Sequence, residues 1–255
     1  GRDKMSIKIR NTEIGDGIPK ICIPVTGTTR KEIEDQLEQI KDEPFDLLEW
    51  RVDFFEEMSN EQARTEMICE IREYLGEKPF LFTLRTKDEG GQKEVSQKEY
   101  ENILETAVKT QKVDLIDVEL YRVPQMSDWI KKMKEKDGIT VIGSNHDFEK
   151  TPSKDEIVSR LTTMKQHGAD IHKIAVMPED AGDVLTLLKA TREFHLAFPE
   201  IPVITMSMGT DGMISRIAGE VIGSAVTFGS GVSASAPGQI PAKKLREILE
   251  ILHEK

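Results

Sequence analysis

DIHKIAVMP (170–178) decides the fold. Six of its nine residues are apolar: Ile171, Ile174, Ala175, Val176, Met177 and Pro178. An apolar run this short and nearly continuous reads as a strand buried on both faces, as in parallel sheets covered by helices. Just upstream, SKDE (153–156) fits a capping box, and Ile157, Leu161 and Met164 recur at helical spacing. A helix therefore delivers the chain to this strand.

The same alternation runs through the whole sequence. Strand-like runs are KICIPVTG (20–27), FDLLEWRVD (45–53), FLFTLRT (80–86), LIDVEL (115–120), TVIGSNHD (140–147), IHKIAVM (171–177), PVITMSM (202–208) and SAVTFGS (224–230). Their centres lie about 30 residues apart, the length of one βα unit. TRKE (29–32), SNEQ (59–62) and SQKE (96–99) mark further helix starts. Pro241 sits near the start of the last helix, PAKKLREILEILHEK, where a missing N–H costs nothing. MSIKIRNTEIGDG (5–17) reads as an extra hairpin closing the barrel floor. Eight strand-then-helix units with no Pro/Gly/Ser-rich divide predict an α/β fold, a (β/α)8 barrel with an N-terminal β-hairpin, forming one catalytic domain over 1–255. The alternative is an open doubly wound sheet, but no glycine-rich fingerprint follows the first strand.

The chain has 255 residues, 32% of them charged and 38% hydrophobic, as suits a soluble globular protein with a sizeable core. Its net charge of −11 argues against a nucleic-acid or anionic-membrane partner. A small anionic substrate stays possible, because a few local arginines outweigh a global field. No run approaches a membrane span. The opening residues lack the apolar core of a signal peptide, and no function is assigned to GRDK before Met5. The two cysteines, Cys22 and Cys69, lack CxxC spacing and read as buried free thiols of a reducing compartment. No HxH or HxxxH pair suggests a metal. DEGG (88–91) lacks the strand–turn–helix setting of a phosphate cradle.

DIHKIAVMP also poses a chemical question, because Lys173 sits at its centre. In a barrel enzyme, chemistry gathers where strands end and βα loops begin. The second strand ends in Glu49, Arg51 and Asp53, the third in Arg85, and the fifth in Asn145, His146 and Asp147. The loops after the seventh and eighth strands hold Arg216, then Ser233, Ser235 and Gln239. Taken singly, each has a plain reading. Lys173 is a lysine whose head snorkels to solvent. His146 is a hydrogen-bonded structural histidine, Glu49, Arg51 and Asp53 form an internal ion cluster, and the other arginines lie on the surface. His167, His172, His195 and His253 read as helix, strand-exterior or tail residues. Taken together, the barrel brings these groups to one mouth, where they form an internal network or a binding site. Burial disfavours an ammonium, and the neutral amine attacks carbonyls. The product is an imine, which as a cation acidifies the neighbouring carbon. A histidine suits the removal of that proton, and arginines suit a carboxylate-bearing substrate.

At these residues the sequence resembles the type I 3-dehydroquinate dehydratases. The matching stretches are LLEWRVD (47–53), FTLRTKDEGG (82–91), IDVEL (116–120), GSNHDFEKTP (143–152), DIHKIAVMP (170–178), TMSMG (205–209), SRIAGEVIGSAVTFG (215–229) and SASAPGQI (233–240). The resemblance runs from about residue 15 to the C-terminus. It implies a (β/α)8 barrel, a cytoplasmic homodimer and no metal or organic cofactor. The implied reaction is the third step of the shikimate pathway, dehydration of 3-dehydroquinate to 3-dehydroshikimate through a lysine Schiff base. It makes Lys173 the Schiff-base lysine, His146 the general acid/base and Glu89 the acid that orients it. Glu49 and Arg51 match groups holding ring hydroxyls. Arg85, Arg216, Ser235 and Gln239 match carboxylate and hydroxyl contacts, with SAPGQ as a mobile lid. Met206 and Phe228 match the apolar wall. One departure is Pro24, where some relatives carry a small hydroxyl-bearing residue. GSGVS before the lid is glycine-rich, which suits an unusually flexible lid. Two rivals are a class I aldolase and a non-catalytic barrel that binds the same acid. The two arginines and the absence of a phosphate-binding glycine loop oppose the first. The pairing of Lys173 with His146 opposes the second.

Overall fold

The computed structural model describes residues 6–15, 17–120, 127–231 and 237–254. Eight parallel strands form the barrel: β3 (Lys20–Val25), β4 (Leu47–Arg51), β5 (Phe80–Thr83), β6 (Leu115–Glu119), β7 (Thr140–Asp147), β8 (Ile171–Val176), β9 (Val203–Ser207) and β10 (Val226–Phe228). They pair in the order β10-β3-β4-β5-β6-β7-β8-β9. A parallel bridge between Val203 and Ser224, with the Ala225 N–H donating to the Val203 carbonyl at 2.7 Å, closes the ring. The expected barrel is thus the observed one, and each of the eight expected strand runs contains one barrel strand.

The strand period of two divides each strand between two environments. In β8, Ile174 and Val176 pack outward against the helix layer, while Ile171 joins an inward cluster with Cys22, Leu47, Leu81, Leu115, Ile142 and Ile204. That apolar cluster fills the barrel floor. Toward the C-terminal ends of the strands the inward positions turn polar, beginning with Glu49, Asp117 and Lys173. A short antiparallel hairpin, β1 (Ile7–Ile9) and β2 (Thr12–Ile14), plugs the floor with Ile9 and Ile14. Arg10 Nε donates to Asp114 at 2.7 Å and anchors the hairpin to β6's approach.

The helices are α1 (Arg30–Ile40), α2 (Glu61–Leu75), α3 (Gln97–Lys109), α4 (Ser127–Asp137), α5 (Lys154–Gln166), α6 (Ala181–Ala197), the short α7 (Gly219–Ile222) and α8 (Ala242–His253). The hydroxyls of Thr29, Ser96 and Ser153 cap α1, α3 and α5 by accepting from the third residue on. Before α2 the cap is Asn60 rather than Ser59, because its amide oxygen accepts from Ala63 N. Of the expected structural histidines, His172 lies on β8's outer face, with Nδ1 2.6 Å from the Leu161 carbonyl. Cys22 is buried as expected, but Cys69 is exposed on α2. Among the described residues, no helix is long and apolar enough to cross a membrane.

Candidate active site

A cavity opens at the C-terminal mouth of the barrel, with about 190 Å³ open to the centre of a water molecule. Lys173, His146, Glu89, Glu49, Arg51, Arg85, Arg216, Gln239, Met206 and Phe228 all line it. They come from separate segments along the chain, joined only by barrel closure. Ser233 lies outside the described residues, as do Ser235 and Ala236 of the expected lid. Pro24 lines the wall, as do Phe148 and Ala175.

Lys173 is 2% exposed, so the snorkelling reading fails. Its Nζ lies 2.5 Å from Asp117 Oδ2 and 5.4 Å from the Phe228 ring centroid. The buried ammonium therefore has a carboxylate partner, a compensation that burial of charge requires. Among the described residues Asp117 takes four donors. Arg85 approaches both its oxygens, at 3.0 and 2.8 Å, and Ser144 Oγ donates to Oδ1 at 2.6 Å. Burial opposes ionisation of Asp117, yet the Arg85 guanidinium and the Lys173 ammonium hold its carboxyl well below the usual carboxylate range. Arg85 also donates to Glu119 Oε2 at 2.8 Å. Burial disfavours its charge, but Asp117 and Glu119 more than restore it.

His146 is set by Glu89, which sits on a 3-10 turn (Lys87–Glu89) after β5. Glu89 Oε1 accepts the His146 backbone N–H at 2.7 Å and lies 3.2 Å from His146 Nδ1. In the tautomer that donates from Nδ1 to Glu89, Nε2 keeps its lone pair. Burial, then the charges of Arg85 and Lys173, hold the imidazole well below its ordinary value, so it rests neutral. Burial and the neighbouring Glu119 push the Glu89 carboxyl up to about 8. The Phe148 ring stacks 6.5 Å from the His146 ring, inclined by 17°. That closeness needs Gly90, which has φ +89° and whose added Cβ would lie 2.1 Å from Phe148 Cε2.

The remaining polar groups divide by commitment. Arg51 is held bidentately by the fully buried Asp53, at 2.9 and 2.8 Å. Asp53 also accepts the Arg85 and Gln92 backbone N–H groups, so it braces the loop after β5. Glu49 accepts from Thr83 at 2.8 Å. Asn145 and Asp147 turn away from the cavity to Arg160 on α5. Arg216, on the 3-10 turn Met213–Arg216, is the under-used cation. Among the described residues its Nε is buried with no partner, and Nη1 makes one long bond to the Phe228 carbonyl, at 3.4 Å. Burial pulls its pKa down. An under-partnered guanidinium at a cavity wall suits an anionic ligand. Sequence reasoning missed Asp117, Glu119 and Ser144. Its available signal was the pair of acids two apart in LIDVEL, which places both on one face of an apolar strand.

A buried lysine, a histidine braced by an acid and an under-partnered guanidinium share the C-terminal mouth of the barrel, the place where enzymes of this fold class carry their chemistry. The comparisons place the chain more narrowly. The family model described as Type I 3-dehydroquinase matches residues 21–255, and the chain belongs to that family. The 3-dehydroquinate dehydratase of Bacillus subtilis is 48% identical over 248 residues, covering 97% of each chain. A crystal structure of the type I 3-dehydroquinate dehydratase of Clostridium difficile, with covalently modified comenic acid, superposes with a TM-score of 0.94 at 46% identity, covering 98% of each chain. The 3-dehydroquinate dehydratase of Geobacillus kaustophilus gives 0.92 at 39%, over 97% of this chain and 96% of that one.

Proposed function

We propose that this enzyme dehydrates 3-dehydroquinate to 3-dehydroshikimate, the third step of the shikimate pathway, through an imine on Lys173. The observation that carries the reading is Lys173, 2% exposed, lining one cavity with His146 and Arg216. The Lys173 amine adds to the ketone carbon, and water leaves to give the imine. The positive nitrogen then draws electrons from the neighbouring carbon. His146, with its Nε2 lone pair free, takes the C2 proton and returns a proton to the departing C1 hydroxyl. Each such positioned transfer contributes roughly 10²–10⁴ in rate. Glu89 keeps the imidazole tautomer, and Phe148 covers the ring. The Arg216 guanidinium binds the substrate carboxylate with Gln239 and Ser235, and Glu49 and Arg51 hold ring hydroxyls. Arg85 acts mainly by fixing Asp117. Met206 and Phe228 wall the ring.

The imine itself is the electron sink, so the reaction needs neither metal nor organic cofactor. The reading includes a single catalytic domain acting as a cytoplasmic homodimer. Exposed Leu196, Val221 and Ile251 on the outer helices give a second copy apolar surface to cover. A direct assay follows the near-ultraviolet absorbance of the conjugated enoate product. Wild-type protein forms product from 3-dehydroquinate, and Lys173→Met forms none. Full turnover by Lys173→Met refutes the reading, and cleavage of a C–C bond in its place moves the protein to the aldolases.

A further inference from the structure

We infer that Asp117 is a catalytic residue, the fixed counter-ion of the reacting nitrogen from the resting ammonium of Lys173 through to its imine. The inference rests on the imine reading above. Its basis is geometric. Asp117 Oδ2 lies 2.5 Å from Lys173 Nζ, and the carboxylate is fully buried. Arg85 and Ser144 supply the other three donors, at 2.6 to 3.0 Å, and fill its lone pairs. Those three bonds do not involve the lysine. They hold the carboxylate in place whatever happens at Nζ.

The chemistry makes such a fixed charge useful. The ammonium first yields one proton, and the freed lone pair forms a bond to the ketone carbon. The carbonyl π pair moves to oxygen, which takes a proton. The nitrogen loses a second proton, the hydroxyl takes up a second one, and the C–O bond breaks with its electrons on oxygen, which leaves as water. The nitrogen lone pair closes the C=N bond. Ammonium plus ketone thus becomes iminium plus water. The nitrogen starts with three hydrogens and ends with one, positive at both ends. One immobile carboxylate serves both states. The iminium N–H has a single direction, and Asp117 Oδ2 is its acceptor. That contact fixes the plane of the C=N bond and keeps the imine protonated, the form that acidifies the neighbouring carbon.

The groups facing the nitrogen support this division of labour. His146 on β7 rests neutral. Cys22 on β3 has its thiol pushed up by burial and then by Glu49 on β4, and Phe228 on β10 is apolar. Asp117 is therefore the negative group bonded to Nζ among the described residues. The second carboxylate of its strand, Glu119, is bound to Arg85 and Thr86. Because Arg85 and Lys173 hold the Asp117 carboxyl so far down, it acts as a charge and not as a proton carrier.

The test is Asp117→Asn in the full chain, with kcat followed against pH. In Asp117→Asn, kcat near neutrality should fall roughly 100-fold, the scale of one lost preorganised electrostatic contact. The alkaline limb of the profile should move to lower pH, with KM little changed. A loss of kcat with an unmoved alkaline limb overturns the inference, since a packing role lowers rate without moving the limb. A second measurement, on the wild type, does not depend on whether Asp117→Asn folds. The C=N vibration of the intermediate above neutral pH must shift between H₂O and D₂O. An intermediate on Lys173 without that shift overturns Asp117's role alone. Absence of any adduct on Lys173 overturns the imine reading with it.

Discussion

Replacing Arg216 with methionine should damage binding while leaving the fold as stable or more so. In the free protein this guanidinium is poorly compensated: among the described residues Nε is buried without a partner, and the side chain makes one 3.4 Å bond. Burial already pulls its pKa down. Methionine keeps much of the apolar stem, removes a desolvated charge and leaves only the Phe228 carbonyl short of a weak donor. The stability change should lie within about 1 kcal/mol of zero, or about 2–4 °C in Tm for a chain of this size. Substrate sees the opposite. Two hydrogen bonds to a charged group are worth about 3–6 kcal/mol, which is roughly 10²- to 10⁴-fold in kcat/KM. Initial rates from product absorbance, set beside calorimetry of the same samples, read both quantities. A loss in kcat/KM below about tenfold would refute the carboxylate role. A fall in Tm beyond about 5 °C would show that Arg216 holds the fold together in a way its contacts do not reveal.

Three further outcomes follow from the same geometry. Burial holds His172 at about 4, against about 6.5 in an unfolded chain, so the unfolded state takes up the extra proton between those values. Stability is complete above about pH 6.5 and should drop by about 3 kcal/mol as the pH falls to about 4; His172→Phe should flatten that slope in urea titrations at paired pH values. Glu89 has the opposite sign. Its carboxyl is raised to about 8, so wild-type stability falls as pH rises from about 4.5 toward 8. Glu89→Gln should gain on the wild type across that window while still accepting from His146, with kcat near neutrality within about tenfold; a stability difference independent of pH contradicts this. Gly90→Ala forces a left-handed residue against Phe148. It should cost about 1–2 kcal/mol of stability. It should also lower kcat by uncovering His146, and unchanged kcat removes the role given to the Phe148 ring.

The barrel was legible because each strand carries its own evidence. β8 reads as buried from Ile171 through Val176, and the Ser and Thr caps mark three helix starts locally. Asn60 shows the limit, since Ser59 and Asn60 are both competent caps and only the backbone path chooses between them. The site was legible where residue type constrains chemistry, as with Lys173, His146 and Arg216. It was less legible where pairing decides the role. Arg85 reads as a free cation in FTLRT, but its charge is committed to Asp117 and Glu119, more than thirty residues away. Asp117 was hidden for the same reason. An acid inside an apolar strand gains meaning only when closure brings Lys173, 56 positions on, against it. Spacing along a strand tells which face a group takes, but not what waits on the opposite wall.

The central claim is that the amine of Lys173 bonds covalently to the substrate ketone. Borohydride reduction during turnover of 3-dehydroquinate, followed by digestion and mass spectrometry, tests it most directly. One reduced adduct should form, on the peptide carrying Lys173, with activity lost in proportion to its formation. Product formation with no adduct on Lys173, or an adduct on a different lysine, would contradict it.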